Sequence, residues 1–230
     1  MGRAAVVGHV RRLGGRVLLD ELWHRAKSHS VEVGLRCDLE RLPALRPAAM
    51  PVSMEPCLGS FAGFDEELAR TSGLDYGRAL HRRRLHDAGL RTLHVAWSRE
   101  RVPVYVQWLV GPAEWPVLDA LEGSFWPRIG QGEVLLEFAY TFVPFRGKGV
   151  MSDAMGQLLR IAAAGGASVA YTYVTVDNVP SLRGCAHVGF ELDHMKESSR
   201  QMGIRRSVIR APEQGERAAW ERSTAPHAPA

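Results

Sequence analysis

A strand, a glycine-containing loop and an amphipathic helix follow one another in the second half of the chain. Residues 133–142 are rich in apolar and aromatic side chains, as strands are. Residues 150–164 repeat apolar side chains at the three- and four-residue spacing of a helix. A helix with one apolar face must bury that face, and the strand before it supplies a sheet to pack on. The unit therefore predicts a chain in which helices and a sheet form layers.

Further strands and helices are predicted on both sides of this unit. Residues 90–97 and 102–110 are predicted to form a hairpin, because two apolar runs flank a short polar turn. Helices are predicted over residues 66–70, 76–87, 115–121 and 180–188, and strands over 169–176, 190–196 and 204–209. The whole pattern predicts an α/β or α+β fold around one mixed sheet.

The predicted domain organisation has three parts. Residues 46–210 form the main domain, and residues 1–45 form an N-terminal extension with a helical segment at 18–26 and a strand-like segment at 31–35. Prolines spread between the two forbid a helix there and predict an extended linker. Residues 211–230 lack periodicity and are predicted to be a disordered tail.

Composition narrows the function classes. The chain has no apolar run long enough to cross a membrane and no signal-peptide pattern, which predicts a soluble, cytoplasmic protein. Its three cysteines lack metal-ligand spacing and argue against a disulfide framework and a zinc site. Arginines cluster between residues 78 and 101. Such a cluster is typical of a solvent-exposed helix face, or it could bind nucleotide phosphates or an acidic carrier protein. Nucleic-acid binding is disfavoured, because aromatic residues are not interleaved with the arginines.

The loop before the amphipathic helix has the chemistry of an anion site. Gly147 and Gly149 let the backbone fold tightly and turn several N–H groups to one side, and the helix adds the positive end of its dipole. Arg146 and Lys148 add positive charge at the rim. Spacing excludes a Walker loop, which needs four residues between its glycines. It also excludes a Rossmann fingerprint, which needs a glycine where Ser152 stands.

A second motif, residues 178–190, begins where the next predicted strand ends. Asn178 is placed either to cap the helix that follows or to reach a ligand, and Gly189 is placed to end that helix.

Together, the two motifs resemble those of the GCN5-related N-acetyltransferase (GNAT) superfamily. In that family a strand leads into an Arg/Gln-x-x-Gly-x-Gly/Ala loop and a helix, and a second strand is followed by Asn-x-x-Ser/Ala and a closing Gly-Phe. Asn178, Ser181, Gly189 and Phe190 stand at the matching spacings over a resemblance that covers residues 90–197. The resemblance implies a mixed, mostly antiparallel sheet of about six to seven strands flanked by helices. It also implies transfer of an acetyl or other short acyl group from acyl-CoA to an amine, without a metal.

The resemblance implies roles for individual positions. Backbone amides of the loop would bind the pyrophosphate of acetyl-CoA, and the strand before the loop would pair with the pantetheine arm as an added strand does. The implied cofactor-binding residues are Ala139, Tyr140, Thr141, Phe145, Arg146, Gly147, Lys148, Gly149, Val150, Met151, Asn178 and Ser181. The acceptor would be a small-molecule amine or a biosynthetic intermediate, and residues 1–45 would shape acceptor choice or a homodimer interface.

Three side chains are candidates for acid–base chemistry. Cys185 stands where the family usually has a tyrosine that protonates the leaving thiolate, and it is either that acid or a buried structural thiol. Glu137 lies among apolar residues, where a carboxylate needs a catalytic role or an ion-pair partner, and Glu133 shares its strand face. Either carboxylate could take a proton from an ammonium acceptor. Because the tyrosine is absent, a CoA-binding or regulatory module without catalysis is the alternative function.

Overall fold

The described residues, 27–44, 48–71, 73–123, 126, 128–201 and 204–225, form one eight-stranded sheet with helices on both faces in the computed structural model. The strands are β1 (Lys27–Asp38), β2 (Ser53–Pro56), β3 (Leu93–Trp97), β4 (Pro103–Val110), β5 (Glu133–Thr141), β6 (Val169–Thr175), β7 (Glu191–Gln201) and β8 (Ile204–Arg210). The helices are α1 (Gly63–Arg70), α2 (Gly73–Asp87), α3 (Trp115–Glu122), α4 (Val150–Ala164), α5 (Val179–His187) and α6 (Gln214–Thr224).

The strand order in the sheet is β2-β3-β4-β5-β6-β1-β7-β8. Neighbouring strands run antiparallel, apart from the parallel pair β5 and β6. That pair is parallel because the chain crosses over through α4 between them, whereas the predicted hairpin of β3 and β4 turns back directly. The predicted mixed, mostly antiparallel sheet is confirmed.

Strand β1 lies inside the sheet rather than outside the domain. It pairs with β6 on one side and with β7 on the other, and Leu35 is completely buried in the core. The predicted domain boundary at residue 45 is therefore wrong for this strand, and β1 takes the sheet beyond the expected number of strands to eight. The alternation at residues 31–35 shows a strand, but its neighbours are decided by partners distant in sequence. The helix predicted over residues 18–26 lies outside the described residues.

The C-terminal segment is also more ordered than predicted. Helix α6 follows β8, and its Trp220 packs against the core. Arg210 at the end of β8 binds both carboxylate oxygens of Glu216 at 2.7 and 2.8 Å. Arg183 of α5 donates to the carbonyl oxygen of Ser223 at 2.7 Å. The prediction of disorder is wrong for residues 214–224, because these tertiary contacts stabilise a helix with little apolar periodicity.

Different helices cover the two faces of the sheet. On one face, α4 and α5 bury Leu158 and Leu182; on the other, α1, α2 and α3 bury Phe64, Leu85 and Leu118. Burying each such side chain contributes about 1.5–3 kcal/mol through the hydrophobic effect, so both layers depend on the sheet between them. No helix in the described ranges is long and apolar enough to cross a membrane.

Candidate functional site

Strands β5 and β6 separate after a short parallel ladder. They pair from Glu133 to Leu135, and in the described part of the chain no pairing continues beyond that point. Phe138 adopts a φ of 57°, and the β4–β5 register shifts between Val106 and Trp108. A bulge of this kind bends its strand, so β5 turns away from β6 and a cleft opens between them. The edge of β5 that faces the cleft is left without a strand partner over residues 139–141.

The loop between β5 and α4 presents a row of backbone donors. Gly147 and Gly149 have φ values of 73° and 76°, in the left-handed region that favours glycine. The amides of residues 147–152 donate to no acceptor among the described residues, and the first helical bond runs from Asp153 to the Gly149 carbonyl. These donors stand at the positive end of the α4 dipole, where an anion is stabilised. Arg146 braces the loop by donating from Nε to the Thr141 carbonyl oxygen at 3.1 Å.

A cavity of about 790 Å³ runs along this loop into the cleft. It brings together eleven of the twelve predicted cofactor-binding residues and adds several that were not predicted. Its wall is formed by Arg78, Arg82, Tyr105, Ala139, Tyr140, Thr141, Phe145, Arg146, Gly147, Gly149, Val150, Met151, Ser152, Asn178, Pro180, Ser181 and Gly184. Lys148 is the predicted residue that does not line it.

Lys148 instead faces a second cavity of about 460 Å³ on the other side of the loop. Its wall includes Gly147 and Gly149, so the two cavities meet at the anion loop. Arg160 of α4 and Arg183 of α5 also line it. Neither arginine was predicted as a site residue, since only the packing of α4 beside α5 turns them toward the same space.

The structure shows the capping role of Asn178, and its contact with a ligand stays a prediction. Its Oδ1 accepts a hydrogen bond from the Ser181 amide at 3.4 Å and so caps α5, while the residue also lines the larger cavity. The capping bond uses the side-chain oxygen and leaves the amide NH₂ as a donor.

Met151 stands where a small residue ends the loop motif. A Cβ atom on Gly184 would lie 2.3 Å from the Met151 Cε, so the methionine side chain fills the space that a side chain on α5 would need. The larger residue on α4 is thus accommodated by a glycine on α5.

Glu137 lies in the split between β5 and β6 but not on the wall of either cavity. Its side chain is buried, and Oε1 accepts a hydrogen bond from the Tyr173 amide at 2.8 Å. If the β5–β6 ladder continued, a main-chain oxygen of β5 would accept this bond instead. Burial and the nearby carboxylate of Glu32 raise the Glu137 pKa to about 8, and Lys196 acts in the opposite direction. Its role as a base stays a prediction.

The ion pair beside Glu137 is not evident from the sequence. Lys196 of β7 is completely buried, and its Nζ lies 2.9 Å from Glu32 Oε2 of β1. The same ammonium lies 3.8 Å from the Trp126 ring centroid and 4.7 Å from that of Tyr173. This group could be recognised only after β1 and β7 were known to be neighbours.

Glu133 lies at the opposite end of β5 from the larger cavity. Its Oε2 accepts a hydrogen bond from the Gly130 amide at 2.6 Å, and its Oε1 accepts one from the Tyr171 hydroxyl at 3.3 Å. Six residues of strand separate it from Ala139, or about 20 Å at roughly 3.3 Å per residue. The structure therefore does not bring Glu133 to the cleft.

Cys185 is buried behind the cavity wall. Its Sγ lies 3.9 Å from the Met155 sulfur, and burial raises the pKa of the thiol to about 12. A thiol of such weak acidity is a poor proton donor, so the geometry favours the structural alternative. Tyr105, by contrast, lines the cavity, and its hydroxyl donates to Gln107 Oε1 at 2.7 Å. The described residues contain no group of three or more His, Cys, Asp or Glu arranged to hold a metal ion.

The fold matches those of solved acetyltransferases. An acetyltransferase of the GNAT family from Colwellia psychrerythraea superimposes with a TM-score of 0.52 at 13% identity, over 78% of this chain and 59% of that chain. The GCN5-related glucosamine N-acetyltransferase region of a fungal multi-domain GH3 beta-N-acetylglucosaminidase gives a TM-score of 0.54 at 11% identity, over 80% and 22%. This chain has the fold of the GCN5-related N-acetyltransferases.

The likeness at these identities concerns the fold alone. A functionally unknown conserved protein from Staphylococcus epidermidis also matches, with a TM-score of 0.50 at 10% identity over 83% of this chain and 69% of that chain. The chain spans 59% or less of the length of the first three matched structures. No family model and no curated protein matches the sequence.

Proposed function

We propose that this protein is an N-acyltransferase that moves an acetyl or other short acyl group from acyl-CoA to a small-molecule amine. The observation that carries the proposal is the row of amides at residues 147–152, which lies at the positive end of α4 and opens onto a cavity that continues into the β5–β6 cleft. A pyrophosphate needs such a row of donors, and the glycine loop lets it approach the backbone.

The surroundings of the loop suit the two ends of CoA. The free edge of β5 at residues 139–141 offers main-chain groups to the pantetheine amides, with Asn178 and Ser181 on the opposite wall. The second cavity, with Lys148, Arg160 and Arg183, offers positive charge to the phosphorylated nucleotide. In this arrangement the thioester points into the β5–β6 cleft near Phe138.

The reaction is an aminolysis of the thioester. The neutral amine nitrogen attacks the carbonyl carbon, the C–S bond breaks, CoA leaves as a thiolate, and the proton lost by the nitrogen passes to water or to the thiolate. The protein positions the two reactants, which can account for much of the rate enhancement. Tyr105 and Tyr140 are the two phenols on the described wall of the cavity, and burial raises the pKa of both, so they stay protonated. The Tyr105 hydroxyl already donates to Gln107 Oε1.

A second candidate function is a CoA-binding module without turnover. It is favoured by one observation: Glu133, Glu137 and Cys185, the predicted acid–base residues, all lie off the walls of both cavities. Such a module would bind acyl-CoA at the same loop and would release no CoA when amines are added.

Thermal unfolding in the presence of acetyl-CoA tests the proposal. A ligand at 100 times its Kd stabilises the folded state by about 2.7 kcal/mol, which raises Tm by about 5–10 °C in a chain of this size. Gly147→Glu should abolish the shift, because it places bulk and negative charge at the anion loop.

Gly166→Glu is the matched control. Gly166 has a φ of 90°, also in the left-handed region, and the space around its Cβ position is as open as at Gly147. It lies at the other end of α4 and lines neither cavity. The control should keep the ligand-induced shift, since it shares the backbone strain but not the site. Acetyl-CoA binding together with CoA release when a panel of amines is added supports the transferase. Binding without CoA release supports the second candidate. The absence of a Tm shift with the wild-type protein refutes both.

A further inference from the structure

Two arginines of one helix line the larger cavity from the face opposite α4 and α5. Arg78 and Arg82 stand four residues apart on α2, a spacing that puts them on the same side of the helix. Arg146 lines the same space, and the cavity wall, as far as the structure describes it, includes no aspartate or glutamate. The described wall of the cavity therefore carries three arginines and no carboxylate.

Arg82 is held rigidly in this wall. Its side chain is buried and forms an ion pair with Glu67 of α1, and its guanidinium carbon lies 3.9 Å from the Tyr140 ring centroid. The buried Nε–H finds no acceptor among the described residues. A buried donor without an acceptor costs about 1–3 kcal/mol.

Arg78 is the adaptable partner. Its side chain is 71% exposed, and its ion-pair contact, with Asp75, measures 3.7 Å at the surface. Exposed pairs of this kind contribute little to stability, so the guanidinium can turn toward a ligand at small cost. One fixed and one mobile guanidinium form a fork that suits the two oxygens of a carboxylate.

The phosphates of CoA have other cationic groups nearby. The amide row and Arg146 stand at the loop, and Lys148, Arg160 and Arg183 stand around the second cavity. Arg78 and Arg82 instead line the larger cavity beside Tyr140 of β5, on the side of the sheet covered by α1, α2 and α3.

Resting on the proposed function, we propose that the acceptor is an amine that also carries a carboxylate, which Arg78 and Arg82 bind. The carboxylate sits against the two guanidinium groups, and the amine points toward the thioester in the β5–β6 cleft. Arg82 and Arg78 are therefore residues that determine acceptor specificity.

Paired acceptors test this assignment. α-, β- and γ-amino acids are compared with their carboxamides, which keep the amine and the shape but lose the charge. CoA release gives kcat/KM, and calorimetry on the protein saturated with CoA gives the acceptor Kd, so a protein without turnover is tested as well. We expect the best amino acid to have a kcat/KM at least about tenfold higher than its carboxamide, or a Kd at least about tenfold lower. Equal values for acid and carboxamide across the panel would overturn the proposal.

The variant for this test is Arg78→Gln, because Arg82→Gln would leave Glu67 buried without its partner and could prevent folding. Arg78→Gln should lower the preference for the amino acid over its carboxamide about tenfold. The values for the carboxamide and the Kd of acetyl-CoA should stay unchanged. Arg84→Gln, an exposed arginine of the same helix that does not line the cavity, is the matched control and should change none of them. Weaker acetyl-CoA binding in Arg78→Gln would assign the arginine to the donor and refute the proposal. Failure of wild type to bind acetyl-CoA would instead refute the proposed function.

Discussion

Replacing Glu137 with glutamine removes an ionisable group from the β5–β6 cleft but keeps the hydrogen bond to the Tyr173 amide. The glutamine oxygen can still accept from the Tyr173 amide, as Glu137 Oε1 does at 2.8 Å. The variant therefore isolates the effect of charge at a buried position. Because burial and Glu32 raise the pKa of Glu137 to about 8, the folded protein favours the protonated carboxyl.

The sign and size of the effect follow from this raised pKa. A group whose pKa is higher in the folded state stabilises the protein fully below its unfolded pKa, and the stabilisation is lost as pH rises through the folded pKa. For Glu137 the window runs from 4.5 to about 8. At about 1.4 kcal/mol per pH unit, wild type should lose about 3 kcal/mol relative to the variant between pH 4.5 and pH 7.

Urea unfolding of both proteins between pH 5 and pH 8.5 measures this difference. The difference in free energy of unfolding should grow with pH in favour of Glu137→Gln and level off above about pH 8. Other titrating groups cancel, since the two proteins share them. A difference that does not change with pH would refute the reasoning. A wild type that gains on the variant as pH rises would show that Lys196 outweighs burial and holds Glu137 ionised.

Three further outcomes are expected. Cys185→Ala should keep kcat within about twofold, because the thiol is buried off the cavity wall with a pKa raised to about 12. Glu133→Gln should also leave turnover unchanged, because the carboxylate lies about 20 Å along the strand from Ala139; a loss of more than tenfold in either variant would restore that residue to the mechanism. Trp220→Ala should lower the free energy of unfolding by about 1–2 kcal/mol in urea titrations, because this half-buried side chain packs α6 on the core. An unchanged midpoint would mean that the Trp220 side chain contributes nothing to stability.

Much of the local structure was predictable because it depends on side chains close together in sequence. The apolar spacing of residues 150–164 predicts α4, and β-rich runs around a polar turn predict the hairpin of β3 and β4. The glycines of the anion loop are equally local, since their positive φ values need no partner elsewhere in the chain. The motif spacing that resembles the GNAT family also predicts the fold that the solved structures share.

The tertiary structure alone decided where these pieces meet. The position of β1 between β6 and β7 depends on pairing across most of the chain, and it creates the Glu32–Lys196 pair that acts on Glu137. Whether a carboxylate faces a cavity or a neighbouring strand depends on the turn of β5 at Phe138, which alternation does not encode. The sequence by itself determined the elements and the anion loop. Long-range packing determined which charges stand beside that loop, because electrostatic and hydrogen-bonding partners are set by distance in space rather than along the chain.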